Sequence, residues 1–469
     1  MNRFIMLALA VVGMAQSAQA ADGPLSRIGF GSCAHQEKPL PIWKTIVAAK
    51  PQLFLMLGDN IYADTDDMKV MKAKYDLAAA HPDYQTLRKN CPMLGIWDDH
   101  DYGKNDAGVE YAKKEESQQL LLDFFDLPKD SPLRKQKGVY QSAVYGPEGK
   151  RVQVIMLDGR YFRSPMRRGK REPGMTYTPY IAVNDPEATM LGDEQWKWLA
   201  EQLKVPAEIR LLVSGIQVVP EDHGFEKWMN FPLEREKLYK VLNDSKAGGI
   251  IVLSGDRHLA ELSMMEGAVS YPLYDLTSSG LNQADEKWRA LEKNKHRIAT
   301  MSYGDNFGMV VINWEAADPT ISLQIRDVPG DIIIQQKLLL SDLQLGAHVA
   351  QKKDAKEAEP LKLSDGAISP EDAAKKIDEE VTLEMRVLSV GGTPEKRVYL
   401  NSKKSFRDEE NFAVVVNPKA FAGKFEKSTA NSFLNKVIRV KGKVSTFKKS
   451  PQIVIDDEKQ VEIVEDKKE

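Results

Sequence analysis

Leu53-Phe54-Leu55-Met56-Leu57 carries no polar side chain, and Gly58-Asp59-Asn60 follows it without a break. Such a run has no face to show to water, so it reads as a strand covered on both sides, as in a parallel sheet between helices. The device recurs. Met93-Leu94-Gly95-Ile96-Trp97 leads into Asp98-Asp99-His100-Asp101, Val152 to Leu157 leads into Asp158, and Gly249 to Leu253 leads into Ser254-Gly255-Asp256-Arg257-His258. Arg27 to Gly31 and Arg210 to Ile216 are further strands. Helices are expected between them at Pro41 to Ala49 and at Asp193 to Leu203, where Leu199 and Leu203 share a face beside Trp196. This alternation implies a layered α/β domain. In such sheets ligands bind beyond the C-terminal ends of the strands, so residues remote in sequence are expected to meet at one edge.

The chain has 469 residues, more than one ordinary domain holds. Its net charge of -3 gives no global attraction for nucleic acid. Arg3, the apolar stretch Phe4 to Met14 and Ala18-Gln19-Ala20 make residues 1–20 read as a secretory signal peptide, which places the mature chain in the periplasm or outside the cell. No Cys stands at the cleavage site behind the apolar stretch, and no later run approaches a membrane span, so a soluble mature protein is expected. Export favours disulfides, and the two cysteines, Cys33 and Cys91, could pair. The alternative is a free Cys33 thiolate beyond the first strand and a small core residue at Cys91.

Hydrolysis of a phosphate ester builds negative charge on the attacking and leaving oxygens. Two cations held a few ångströms apart can clamp both and activate a water, which needs a bridging carboxylate, further hard ligands and a His near the leaving group. The strand ends offer these in order. Cys33-Ala34-His35 stands where calcineurin-like metallophosphoesterases carry Asp-x-His, and Gly58-Asp59-Asn60-Ile61-Tyr62 resembles their Gly-Asp motif, whose Asp bridges two metals. Tyr62 sits where the related purple acid phosphatases keep a ligating Tyr. Asp98-Asp99-His100-Asp101 replaces Gly-Asn-His-Asp/Glu, and Gly255-Asp256-Arg257-His258 replaces Gly-His-x-His.

Taken together the departures at Cys33, Asp99 and Asp256 resemble the PhoD-like alkaline phosphatase and phosphodiesterase branch. Gly31-Ser32-Cys33, Trp97-Asp98-Asp99-His100-Asp101, Leu157-Asp158-Gly159-Arg160-Tyr161-Phe162-Arg163, Leu191-Gly192-Asp193-Glu194-Gln195-Trp196 and Ser254-Gly255-Asp256-Arg257-His258 look like its motifs, over about Arg27 to Leu345. The resemblance implies a metallophosphoesterase sandwich that hydrolyses phosphomonoesters or phosphodiesters. It implies metal ligands at Cys33, Asp59, Tyr62, Asp99, Asp256 and His258. A thiolate, a phenolate and Asp59 suit Fe³⁺, and Asp59, Asp99 and Asp256 suit Ca²⁺. His100 would sit beside the leaving oxygen as proton donor or charge stabiliser, with Asp101 orienting it. Arg160, Arg163 and Arg257 are candidates to bind phosphoryl oxygens. His35, Asn60, Asn105 and Gln217 read as neighbours rather than ligands, and Asp98 as a helix cap or a support behind the ligands.

The pattern changes after Leu345. Residues 346–370, rich in Lys, Glu, Ala and Asp, read as a linker that ends a catalytic domain of residues 21–345. A helix at Glu371 to Asp378 and strands at Val381 to Val390, Arg397 to Asn401, Phe412 to Val416, Val437 to Val444 and Gln452 to Ile455 predict a small OB-like β-barrel over 371–469. Lys403-Lys404, Phe406, Phe447 and Lys448-Lys449 could serve nucleic acid in such a barrel, but its nearly balanced charge weighs against that. A binding module with a decayed phosphatase domain is the competing reading, and the intact set Asp59, Asp99, His100 and Asp256 argues against it.

Overall fold

The computed structural model describes residues 23–345, apart from 172, 288–292 and 302, and residues 361–464, apart from 362, 394–396, 404–409, 422–432, 435 and 448–449. The expected signal peptide and most of the expected linker lie outside these residues, as do Lys404, Phe406, Lys448 and Lys449. The chain divides into two compact units, Met1–Gln351 and Lys352–Glu469.

The first unit is built on two mixed sheets. In one, Arg27–Gly31, Leu53–Leu57 and Met93–Ile96 run parallel, with Phe30 opposite Leu55 and Leu55 opposite Leu94. Asn306–Asn313, Thr320–Asp327 and Ile332–Leu339 extend it antiparallel beyond Arg27–Gly31. In the other, Val152–Met156, Ile209–Ser214, Ile250–Ser254 and Leu273–Ser278 run parallel in that spatial order. Gln141–Tyr145 flanks one edge, and Ala260–Met265 with Arg297–Met301 flanks the other, all antiparallel. Leu53–Leu57, Val152–Met156, Ile209–Ser214 and Ile250–Ser254 are buried at every residue, as their unbroken apolar runs require. One continuous apolar core takes in both sheets.

The helices keep their expected places with small shifts. Ile42–Ala49 buries Ile42, Trp43 and Ile46, and Gly192–Gln202 buries Trp196 and Leu199. The strand expected to reach Ile216 stops at Ser214 because Gly215 approaches the other sheet's edge: a Cβ there would lie 2.7 Å from Asp98 Oδ1. Among the described residues no helix is long and apolar enough to cross a membrane.

The second unit is a seven-stranded arrangement with its own core around Leu383, Val398, Phe412, Val440 and Ile453. Its path runs Glu380–Arg386, Val437–Phe447, Ser450–Ile455, Ala413–Val416, Arg397–Asn401, Ser389–Thr393, and Val461–Val464, missed from the sequence, pairs with Val437–Phe447. The strand expected over Val381 to Val390 is broken at Val387 and Leu388, whose amides pair with Lys436 and Asn401 instead. The expected helix is one turn, Pro370–Ala373, after which Asp378 takes a left-handed φ of 68°. The last residues read as linker belong to this unit: the Ile368 amide donates to Thr382 O at 2.9 Å.

Candidate active site

The functional side chains stand one to five residues beyond buried strands, where the backbone must turn sharply. Asp59 and Asp256 have φ of 50° and 67°, a region that short polar residues tolerate. Cys33 at 62° and His258 at 53° share it, Cys33 being the more unusual occupant. Gly58, at φ +106°, could not be replaced: a Cβ would lie 2.5 Å from that of Asp98.

Asp59 is the centre of the cluster and is 1% exposed. Its Oδ2 lies 3.3 Å from Cys33 Sγ and accepts the Tyr62 hydroxyl at 3.3 Å, while its Oδ1 faces the His100 amide at 3.4 Å. Cys33 Sγ also meets Ser279 Oγ at 3.1 Å, and that hydroxyl accepts the His258 amide at 2.8 Å. Tyr62 OH is 3.0 Å from His258 Nε2, and its ring lies between His35 at 5.0 Å and His100 at 4.2 Å. Both cysteines are free thiols, so the pairing alternative falls away.

Asp101 does not hold the His100 ring. Its carboxylate accepts the amides of Asp98 at 2.7 Å and of Asp59 and Asn60 at 3.1 Å each, which locks two turns together. The carboxylate on His100 Nδ1 is Asp64, at 2.8 Å, a residue the sequence reading passed over although it lies in the same loop as Asp59. Asp158 likewise turns inward, onto the amides of Arg160, Tyr161 and Val139.

Arg160 and Arg163, read from the sequence as phosphoryl binders, lie behind the carboxylates with side chains 1% exposed. Arg160 donates two parallel hydrogen bonds of 2.8 Å to Glu226 and a third to Asp98. Arg163 donates to Asp106 O at 2.7 Å and lies 3.4 Å from Glu226. Arg257 is different: it lines the cleft, 3.6 Å from Asp256 and 4.2 Å over the Phe225 ring. Arg168 lines it too, on the short hairpin of Arg167–Arg168 with Tyr180–Ile181, where it pairs with Asp106 at 2.9 Å. Glu226, Asp106 and Arg168 went unnoticed in the sequence because they sit in loops with no periodic pattern.

The cleft, of about 210 Å³, is therefore walled by acids that burial makes costly to ionise. Burial pushes Asp59 and Asp98 well up, and raises Asp256 to about 7 against the pull of Arg257. Burial, with Glu226 and Asp99, takes Asp106 to about 8. Burial raises the Cys33 thiol and the Tyr62 phenol as well, each reinforced by neighbouring charge. Asp99 is the exception: burial works to raise it, but His100 and Arg160 hold it well below the carboxylate range. Asn60 Oδ1, Asp98 Oδ2 and Asp99 Oδ1 are buried and accept no hydrogen bond among the described residues. Crowded acids with unsatisfied oxygens suit bound cations, whose charge reverses these shifts. Among the described residues, four sets have ligand atoms within 4.8 Å of one another: Cys33, Asp59 and His258; Asp59, Asp99 and His100; Asp98, Asp99 and Asp256; and Asp99, Asp106 and Glu226.

The family model for PhoD-like phosphatases matches residues 28–286, more than half of the chain. The chain belongs to the PhoD-like phosphatase family. It is thus a metal-dependent phosphoesterase, a phosphoric ester hydrolase, and the metal-competent residues at its strand ends fit that chemistry. Among solved structures it is similar to that of PhoD, with a TM-score of 0.52 at 15% identity over 72% of this chain and 79% of that one. A weaker likeness is to TT1561 of Thermus thermophilus, with a TM-score of 0.31 at 10% identity over 67% of this chain and 99% of that one. No curated protein sequence matches the chain.

Proposed function

We propose that the chain is an exported hydrolase of phosphomonoesters or phosphodiesters that works at a two-cation site shared through Asp59. The observation that carries this is that, among the described residues, Asp59 alone belongs both to the set with Cys33 and His258 and to the set with Asp99 and His100. Cys33, Asp59, Tyr62 and His258 would hold one cation, and their thiolate and phenolate suit Fe³⁺. Asp59, Asp99 and Asp256 would hold the other, and their all-oxygen set suits Ca²⁺. Bound there, the cations supply Lewis acidity to the phosphoryl oxygens and make water a better nucleophile.

The remaining steps fall to the protein. Arg257, on the cleft wall, binds a phosphoryl oxygen. His100, held by Asp64, gives its proton to the leaving alcohol as the phosphorus–oxygen bond breaks. Asp101 keeps the Asp59 and Asp98 turns in register, and Arg160 holds Asp98 and Glu226 in place without touching substrate. The signal-like sequence of residues 1–20 supports export. The second unit is read as an OB-like barrel, because the two ends of its strand path, Glu380–Arg386 and Ser389–Thr393, are neighbours in the chain.

The test is Asp59→Asn. With the shared carboxylate gone, bound iron and calcium and the turnover of 4-nitrophenyl esters should fall together. A variant that kept its metal content while losing turnover would leave Asp59 in a role other than a shared ligand.

A further inference from the structure

The catalytic cleft continues past His100. Asn105, Asp106, Arg168 and Tyr180 line it, and the same four residues line a second recess of about 650 Å³. The cleft, at about 210 Å³, is smaller than the roughly 300–1,000 Å³ of small-molecule sites, whereas the recess falls within that range. Ala107, Tyr111, Ala112, Pro165 and Met166 make much of its wall apolar. Its cations are already matched, Lys104 with Asp66, Arg168 with Asp106 at 2.9 Å and Lys113 with Glu116 at 2.9 Å, and Glu110 adds a carboxylate that accepts the Gly108 amide at 2.9 Å. Arg168 is further engaged by the Tyr180 ring, 3.7 Å from its guanidinium carbon. A surface compensated in this way offers little to a polyanion and suits a neutral, partly apolar group.

The recess also lies on a definite side of the chemistry. Its residues 104–107 and 110–113 follow the turn that carries His100, and the Asn105 amide donates at 2.9 Å to Asp64, the same carboxylate that holds the His100 ring. The geometry points to a leaving-group subsite: the recess receives the neutral organic alcohol portion of a phosphate ester whose phosphoryl group lies between Asp99, Asp256 and Arg257. This rests on the proposed placing of His100 at the leaving oxygen. The bond that breaks joins phosphorus to that alcohol oxygen, the new bond joins phosphorus to the water oxygen, and the alcohol leaves from the recess with the His100 proton.

The experiment uses the full chain and two aryl leaving groups of similar acidity, phenol and 4-phenylphenol, each offered as the monoester and as the methyl diester. The second ring should be buried in the recess, which raises kcat/KM for the larger ester by about tenfold or more. Ala112 is exposed and Met166 partly so, which makes Ala112→Trp and Met166→Trp compatible with folding. Filling the recess from either wall should bring the ratio of the two kcat/KM values down to about one. A ratio near one in the unaltered protein, or a ratio kept by both variants, overturns the subsite. If neither ester is hydrolysed by the metal-loaded protein, it is the phosphoesterase reading that fails, so the two failures are distinguishable.

Discussion

Arg160 decides between two pictures of the site. Its guanidinium makes three charged hydrogen bonds, two of 2.8 Å to Glu226 and one to Asp98, and all three side chains are at most 3% exposed. Arg160→Met keeps much of the volume and removes the charge. Asp98 and Glu226 then lose that charge in a dry interior, while Arg163, 3.4 Å away, stays near Glu226. Breaking a buried ion pair by removing one partner costs about 3–5 kcal/mol, and Arg163 keeps the loss here toward the lower end. That is a large part of the roughly 5–15 kcal/mol that a domain has in total. The assay is urea unfolding followed by tryptophan fluorescence in excess chelator, so that bound cations do not contribute. All tryptophans lie before residue 352, so the signal reports the first unit alone. A loss below about 1 kcal/mol together with a raised KM for phosphate esters would refute this reasoning, because it would mean that Arg160 binds substrate as its sequence position suggested.

His100→Ala should retain most of the metal while kcat falls by roughly 10²–10⁴, less for nitrophenyl than for alkyl esters, since a good leaving group needs little protonation. Equal losses for both ester types would remove the general-acid role. Burial alone would lower the His100 pKa from 6.5, but Asp99, Asp59 and Asp64 outweigh it and raise it to about 11. A raised folded-state value means that protonated His100 stabilises the fold fully below pH 6.5, and that this contribution fades as pH rises through about 11. Asp64→Asn removes one of those carboxylates, so the alkaline limb of the kcat profile should move to lower pH; an unmoved limb would separate Asp64 from the mechanism. A chain ended after Gln351 should stay folded and hydrolyse a chromogenic ester, with loss of either showing that the second unit supports the first.

The gathering of metal-competent side chains beyond the strands was legible in the sequence because it is written locally. A buried strand must be apolar throughout, and the residue at which that run stops is where the backbone leaves the sheet, so Asp59, Asp98 to Asp101 and Asp256 announced themselves by position. The same locality brought the α/β alternation and the change of pattern after Leu345 into view. What the sequence left undecided are choices between equally plausible neighbours. Asp101 adjoins His100 in the chain, yet its carboxylate faces three backbone amides and Asp64 takes the imidazole. Arg160 and Arg257 both follow a strand-end aspartate, and only Arg257 reaches the cleft. Arg160 is turned inward by Glu226, which is 66 residues away in a loop without periodicity. A guanidinium buries itself only where a carboxylate waits with matching geometry, and that partner is supplied by the tertiary fold, not by the residues beside it.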